Sequence, residues 1–277
     1  MSKPIHIDPA NGIPDFPIRS DPKLGVPNYE YQVTLAYSPP NTWAKEFIDW
    51  KNNAIPHAKF SGCIPAKWID SDLSQVEALV APPPVHADAE IGDLWTLKPL
   101  RARYLDRIKQ EESIDAATEI GELLSAAGVN LQHRLSNGRT VQEHIAGLWV
   151  LARMDAGGLG FHQKALFNRA RPWQVSPGLH PLCLPMHPSY PSNHSSQLHL
   201  FAWMLEEICR GTQKQRIAER FTDQCSGAAR RREIAGVHFA SDTVAGMALA
   251  HRILEMYLAD PGFAFKETWI DPLRAAL

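Results

Sequence analysis

Proline placement constrains this chain more than any other feature, because each proline removes a backbone donor, fixes φ and turns the preceding residue away from helix. Of 22 prolines, eight lie in residues 1–40, three form Pro82-Pro83-Pro84, and six fall from Pro172 to Pro191. Between these blocks the apolar residues recur at helical steps. Leu94, Leu97, Leu100, Tyr104, Leu105 and Ile108 make one such run, and Ile114, Ala117, Ile120, Leu123 and Leu124 make another. Further helices are expected over 140–170, 192–210, 212–229 and 237–258, and few stretches alternate with period two. The expected fold class is therefore all-α, a single-domain helical bundle. Residues 1–84 form a Pro-rich, irregular N-terminal arm with short helices, and residues 85–277 form the helical core. Asn41 can cap one short helix bearing Trp43, Phe47, Ile48 and Trp50. The arm either wraps the core or reaches a second copy in a homo-oligomer.

A chain of 277 residues with 44% hydrophobic residues has enough apolar material for one sizeable core. With 28 basic against 30 acidic residues it lacks the basic field of a nucleic-acid binder, so positive charge must act locally. No apolar run approaches the ~20 residues that span a bilayer, and the start, Met1-Ser2-Lys3-Pro4-Ile5-His6, has no signal-like stretch. A soluble, cytoplasmic protein is expected. Cys63, Cys183, Cys209 and Cys225 show no C-x-x-C spacing, which points to free thiols rather than zinc. His180, His187, His194 and His199 fall within twenty residues, but they straddle a Pro-rich loop with no acid or thiol at ligand spacing. No metal is expected, and His180, His187 and His199 read as wall or structural residues.

Three polar clusters carry the chemistry. Lys164 and Arg171 are seven apart, which on a continuous helix places both cations on one face, and Pro172 then ends the helix. In Pro191-Ser192-Asn193-His194 a proline can open a helix whose free N–H groups cradle an anion, with His194 at the rim. His238 and Asp242 stand at i and i+4, so on a helix the carboxylate accepts the Nδ1 proton and aims Nε2 outward, with Arg232 near the start of that helix. Two arginines and a lysine suit a tetrahedral oxyanion, and two histidines with an aspartate suit transfer through a covalent intermediate. The loop from Pro172 to Pro191, about twenty residues long, joins two clusters and should wall the pocket.

Written out, K-x6-R-P, P-S-N-H and R-x5-H-x3-D form an ordered set from Lys164 to Asp242 that resembles the tripartite signature of the type 2 phosphatidic acid phosphatase superfamily. That superfamily joins soluble bacterial acid phosphatases, membrane lipid phosphatases and vanadium-dependent haloperoxidases. The resemblance implies a helical core and a phosphohistidine mechanism. It makes His238 the nucleophile, Asp242 its orienting group and His194 the proton donor. Lys164, Arg171 and Arg232, with the amides of Ser192 and Asn193, would bind a phosphorylated small-molecule substrate. Two positions depart from the family pattern: Asn193 stands where Gly is usual, and Arg231 where Ser is usual, adding a cation beside the site. The expected activity is a metal-independent phosphatase acting on a phosphomonoester or diphosphate without a cofactor. Two alternatives stay open. One is a haloperoxidase, for which vanadate would be the cofactor and peroxide and halide the substrates; the other is a silent helical oligomer that only binds a phosphate ligand.

Overall fold

The computed structural model describes Ile18–Arg19 and residues 78–84, 88–111, 115–185 and 187–277. The expected arm, including the Asn41-capped helix, and Cys63 lie outside them apart from Ile18–Arg19 and residues 78–84. The described residues form an all-α bundle. Its seven helices of ten residues or more are α1 (Asp88–Leu97), α2 (Arg101–Glu111), α3 (Ala116–Ala126), α4 (Val141–Phe167), α5 (Asn193–Cys209), α6 (Gln215–Ile234) and α7 (Ala240–Ala259). β structure among the described residues is slight: Ile18–Arg19 pairs antiparallel with Leu184–Pro185, and one bridge joins Arg134 and Thr140. No described helix is long and apolar enough to cross a membrane.

Local chemistry sets the helix ends. Thr140 opens α4 with a capping box: its hydroxyl accepts from Glu143 N at 3.1 Å while the Glu143 carboxylate accepts from Thr140 N at 2.7 Å. Asn168 closes α4 in the left-handed region, φ 49°. The helix therefore stops short of Arg171, and Lys164 and Arg171 do not share a helix face as their spacing suggested. Pro172 likewise does not end a helix; it begins a single turn, Pro172–Val175, with Arg171 as its N-cap.

A second boundary also differs. α6 runs on to Ile234, so Arg232 sits in its last turn and not at the start of the next helix. Gly236, at φ 77°, reverses the chain, and α7 begins only at Ala240, which leaves His238 ahead of the helix.

α5 is the central helix, packed against α4, α6 and α7. Phe201 on α5 is fully buried between Trp149 of α4, 5.3 Å away, and Phe221 of α6, which meets it edge to face at 5.8 Å. On the α7 side the helices touch at Gly246, where an added Cβ would lie 2.5 Å from Ser192 O and 2.6 Å from Ser195 Cβ. The segment 78–84 already belongs to this body. Leu79 N donates to Gln163 Oε1 at 2.9 Å, Tyr190 hydrogen-bonds Ala81 O, and Val80 is buried.

Candidate active site

The three clusters meet where the end of α4, the start of α5 and the α6–α7 turn converge. His238 is buried, and its Nδ1 lies 3.1 Å from Asp242 Oδ2 while Nε2 lies 3.1 Å from Arg171 Nη1. Arg171 Nη1 is also 3.5 Å from Nδ1, so it lies over the ring; the Asp242 carboxylate only accepts, so Nδ1 carries the proton and donates the hydrogen bond to Asp242. The free lone pair of the imidazole is thus on Nε2. The hydrogen bond expected from the i, i+4 spacing is present, but a helical turn does not make it. Asp242 is the third residue of α7, and its Oδ2 also accepts from Phe239 N at 2.9 Å, so the carboxylate caps the helix and orients the imidazole together.

The other oxygen of Asp242 is taken by a residue that the motifs did not point to. Arg169 Nη1 donates to Asp242 Oδ1 at 2.7 Å and Nη2 donates to Glu90 Oε2 at 2.7 Å, both within or against the buried interior. Its guanidinium also lies over the Phe239 ring, 4.0 Å from the centroid. Glu90 Oε1 accepts from Ser241 N at 2.8 Å, which closes a network of α1, Arg169 and α7 around the aspartate. Burial works against the Arg169 charge, but Asp242 and Glu90 outweigh it and its pKa is raised. The one signal in the sequence was the first arginine of Asn168-Arg169-Ala170-Arg171; Glu90, about 150 residues from Ser241 in the chain, had none.

Arg171 is fully buried and spends its donors on the site wall. Nε donates to His187 O at 2.9 Å, Nη2 lies 3.1 Å from His187 Nδ1, and Nη1 donates to Val237 O at 2.6 Å. Burial lowers its pKa to about 9, against the pull of Asp242. Arg232 is also buried, with Nη2 3.4 Å from Cys183 Sγ. Lys164 holds the loop itself: Nζ donates to Pro188 O at 2.9 Å, Ser189 O at 2.8 Å and Pro191 O at 2.5 Å. An ammonium has three donors, and these three carbonyls use them all. Burial, then the Arg171 charge, pushes the lysine well below its ordinary pKa.

His194 is half-buried in the first turn of α5. Burial first, then Arg232, Arg171, Lys164 and Arg153, push its pKa well down, and His238 is lowered by burial and by Arg171, Lys164, Arg232 and His194. Both imidazoles thus sit in the field of the same three cations.

Three features mark the α5 start. The helix begins at Asn193 with Ser192 as N-cap, not at Pro191. The Ser192 amide donates to Asp242 O at 2.9 Å, so it joins α5 to α7 and does not face an anion. The Asn193 side chain turns into α4, its Nδ2 3.4 Å from Gly157 O, and a Cβ at Gly160 would lie 2.1 Å from its Oδ1.

Arg231 does not add a cation to the site. It pairs with Glu111 of α2, Nε to both carboxylate oxygens at 2.8 Å, because its place on α6 faces α2. Of the remaining histidines, His187 does wall the site against Arg171. His199 lies on the core side, between Ser195 O at 2.8 Å and Ser226 Oγ at 3.0 Å, and His180 is exposed. Trp173 is fully buried behind Arg171, 5.8 Å from its guanidinium, and packs with Ile108 and Val237. An open cleft of about 670 Å³ lined by Arg134, Arg139, Glu143, Val150, Met154 and Trp269 includes none of the motif residues. No family model and no curated protein matches the chain.

Proposed function

We propose that this chain is a metal-independent phosphatase of the type 2 phosphatidic acid phosphatase and haloperoxidase kind, hydrolysing a phosphomonoester or diphosphate through a phosphohistidine. One observation carries the reading. His238 presents an unprotonated Nε2 beside Arg171, with Nδ1–H held by Asp242, in the field of Lys164, Arg171 and Arg232 that also covers His194. A buried neutral imidazole with a carboxylate behind it and cations in front is built to attack an anionic centre.

In the first step the Nε2 lone pair attacks phosphorus, Arg171 turns a donor to a phosphate oxygen, and the bond to the leaving oxygen breaks. The imidazole gains positive charge, which Asp242 stabilises through Nδ1–H. His194 gives its proton to the leaving oxygen. In the ligand-free protein burial and the cations hold this histidine neutral. A phosphate dianion offsets that positive field and restores enough basicity for His194 to carry a proton. In the second step His194 takes a proton from water, the hydroxide oxygen bonds to phosphorus, and the P–N bond returns its electrons to Nε2. Arg171 and Arg232 serve as donors to the equatorial oxygens, while Lys164 acts through its charge and by fixing the loop that Arg171 leans on.

The test is phosphate release from aryl and alkyl phosphates and from an isoprenyl diphosphate, with and without EDTA, beside a peroxide and halide assay on vanadate-treated protein. Turnover that survives EDTA and is lost in His238→Ala is the expected result. Loss in EDTA with rescue by zinc or magnesium would overturn the metal-free mechanism. Halogenation without phosphate release would move the assignment to the haloperoxidase branch, and vanadate binding with neither activity to a silent binding protein.

A further inference from the structure

We propose that Asn193 is a positioning residue for His194, seated in a notch that Gly160 leaves in α4; the inference rests on the reading of His194 as the proton donor. The first turn of α5 is gripped from two sides. On one side Gly246 of α7 admits Ser192 and Ser195, and Ser195 Oγ donates to Thr243 O at 2.7 Å while Ser192 N donates to Asp242 O at 2.9 Å. On the other, the Asn193 carboxamide enters α4 between Gly157 and Gly160. His194 lies between these anchors in sequence, so together they fix where its imidazole starts.

The Asn193 contact works by shape more than by polarity. Its Nδ2 bond to Gly157 O is long at 3.4 Å, and its Oδ1 has no hydrogen-bond partner among the described residues although the residue is 7% exposed. A Cβ at Gly160 would overlap that oxygen outright at 2.1 Å and reach 3.0 Å from Cγ. Glycine is otherwise a poor choice within a helix as long as α4, where alanine is the better former. The pair therefore belongs together: the asparagine needs the missing methyl, and the glycine needs an occupant.

A double-mutant cycle tests this. Asn193→Gly alone should lower kcat on alkyl phosphates ~3- to 10-fold and leave aryl phosphates nearly unchanged, because a displaced proton donor matters most when the leaving oxygen is basic. Gly160→Ala should cost the alkyl reaction more than ~10-fold when Asn193 is present, and nothing further once Asn193 is glycine, since the clash has then lost its partner. The His194 imidazole resonances should shift in Gly160→Ala and lie at the Asn193→Gly positions in the double variant. Equal cost of Gly160→Ala in both backgrounds, or unchanged alkyl turnover in Asn193→Gly, overturns the proposal. Should Gly160→Ala fail to fold alone, equal turnover of Asn193→Gly and the double variant, with the double melting no lower, still supports it, and a further loss in the double overturns it. If the wild-type protein releases no phosphate from any ester, the phosphatase reading fails separately, and the resonance and melting cycle decides the Asn193–Gly160 coupling without it.

Discussion

His238 and His194 share one electrostatic environment but are assigned different duties, and substrate choice separates them. His238→Ala should abolish turnover on every phosphate ester, whereas His194→Ala should spare most of it on aryl phosphates and lose ~10²-fold or more on alkyl ones, the usual worth of a general acid. Steady-state rates on a series of leaving groups check this, and equal losses across the series would remove His194 from its role. Arg169 makes a stability prediction of its own. Its charge is fully buried between Asp242 and Glu90, so Arg169→Ala strands two carboxylates and should cost ~3–5 kcal/mol in denaturant unfolding. At this scale the residues that meet at the junction were legible where a residue type announces itself, as with His238, Asp242, Arg171 and Arg232. They were illegible where a residue acts by what it lacks or by a distant partner, as with Gly160 and Glu90.

The helices were legible as segments, because buried apolar faces impose their period, but their ends were not. α4 stops at Phe167 because Asn168 takes a left-handed turn, and α7 starts at Ala240 because Asp242 caps Phe239 N. Neither signal is apolar, so periodicity ran through both and put Arg171 and His238 on helices they do not occupy. The α6–α7 contact holds a pH-sensitive element. Glu233 of α6 is buried, accepts from Thr243 of α7 at 2.8 Å and pairs with Arg230; burial raises its pKa from 4.5 to about 7. A raised carboxyl pKa means the folded state keeps its proton longer than the unfolded one. The associated stability is full below pH 4.5, falls as the pH rises and is gone above about pH 7, a span worth ~3 kcal/mol. On the acid side, burial holds His162 of α4 down to about 4, so stability present above pH 6.5 is lost as the pH falls toward that value. Because the two windows overlap and run in opposite directions, Glu233→Gln should make stability rise more steeply from pH 4.5 to 7 than in the wild type, in thermal unfolding followed across pH.

For the molecule as a whole, the all-α class followed from the proline blocks and the helical runs between them, and the three separated clusters were legible as polar residues interrupting those runs. Their meeting at one end of α4, α5 and α7 is a property of packing around α5, which no local pattern states. A ligand that binds this junction should stabilise the whole bundle, since its parts come from four helices. Orthovanadate at ~100 times its dissociation constant adds ~2.7 kcal/mol and should raise the melting temperature by several degrees, an effect expected to vanish in His238→Ala. A vanadate-dependent shift of equal size in that variant would place the oxyanion elsewhere.

The grip of Lys164 on Pro188, Ser189 and Pro191 is made to carbonyl oxygens, as is the contact of Arg171 Nε with His187 O. Every amino acid offers the same carbonyl. The course of this wall is therefore held by what all residues have in common; Leu179 and Pro181 are buried, so the side chains left free to change without loosening the charged frame beneath are the exposed His180 and the half-buried Leu182. In evolutionary terms the protein separates its grammar from its vocabulary, and a library randomised at His180 and Leu182 should yield folded proteins whose leaving-group range varies while their dependence on His238 does not.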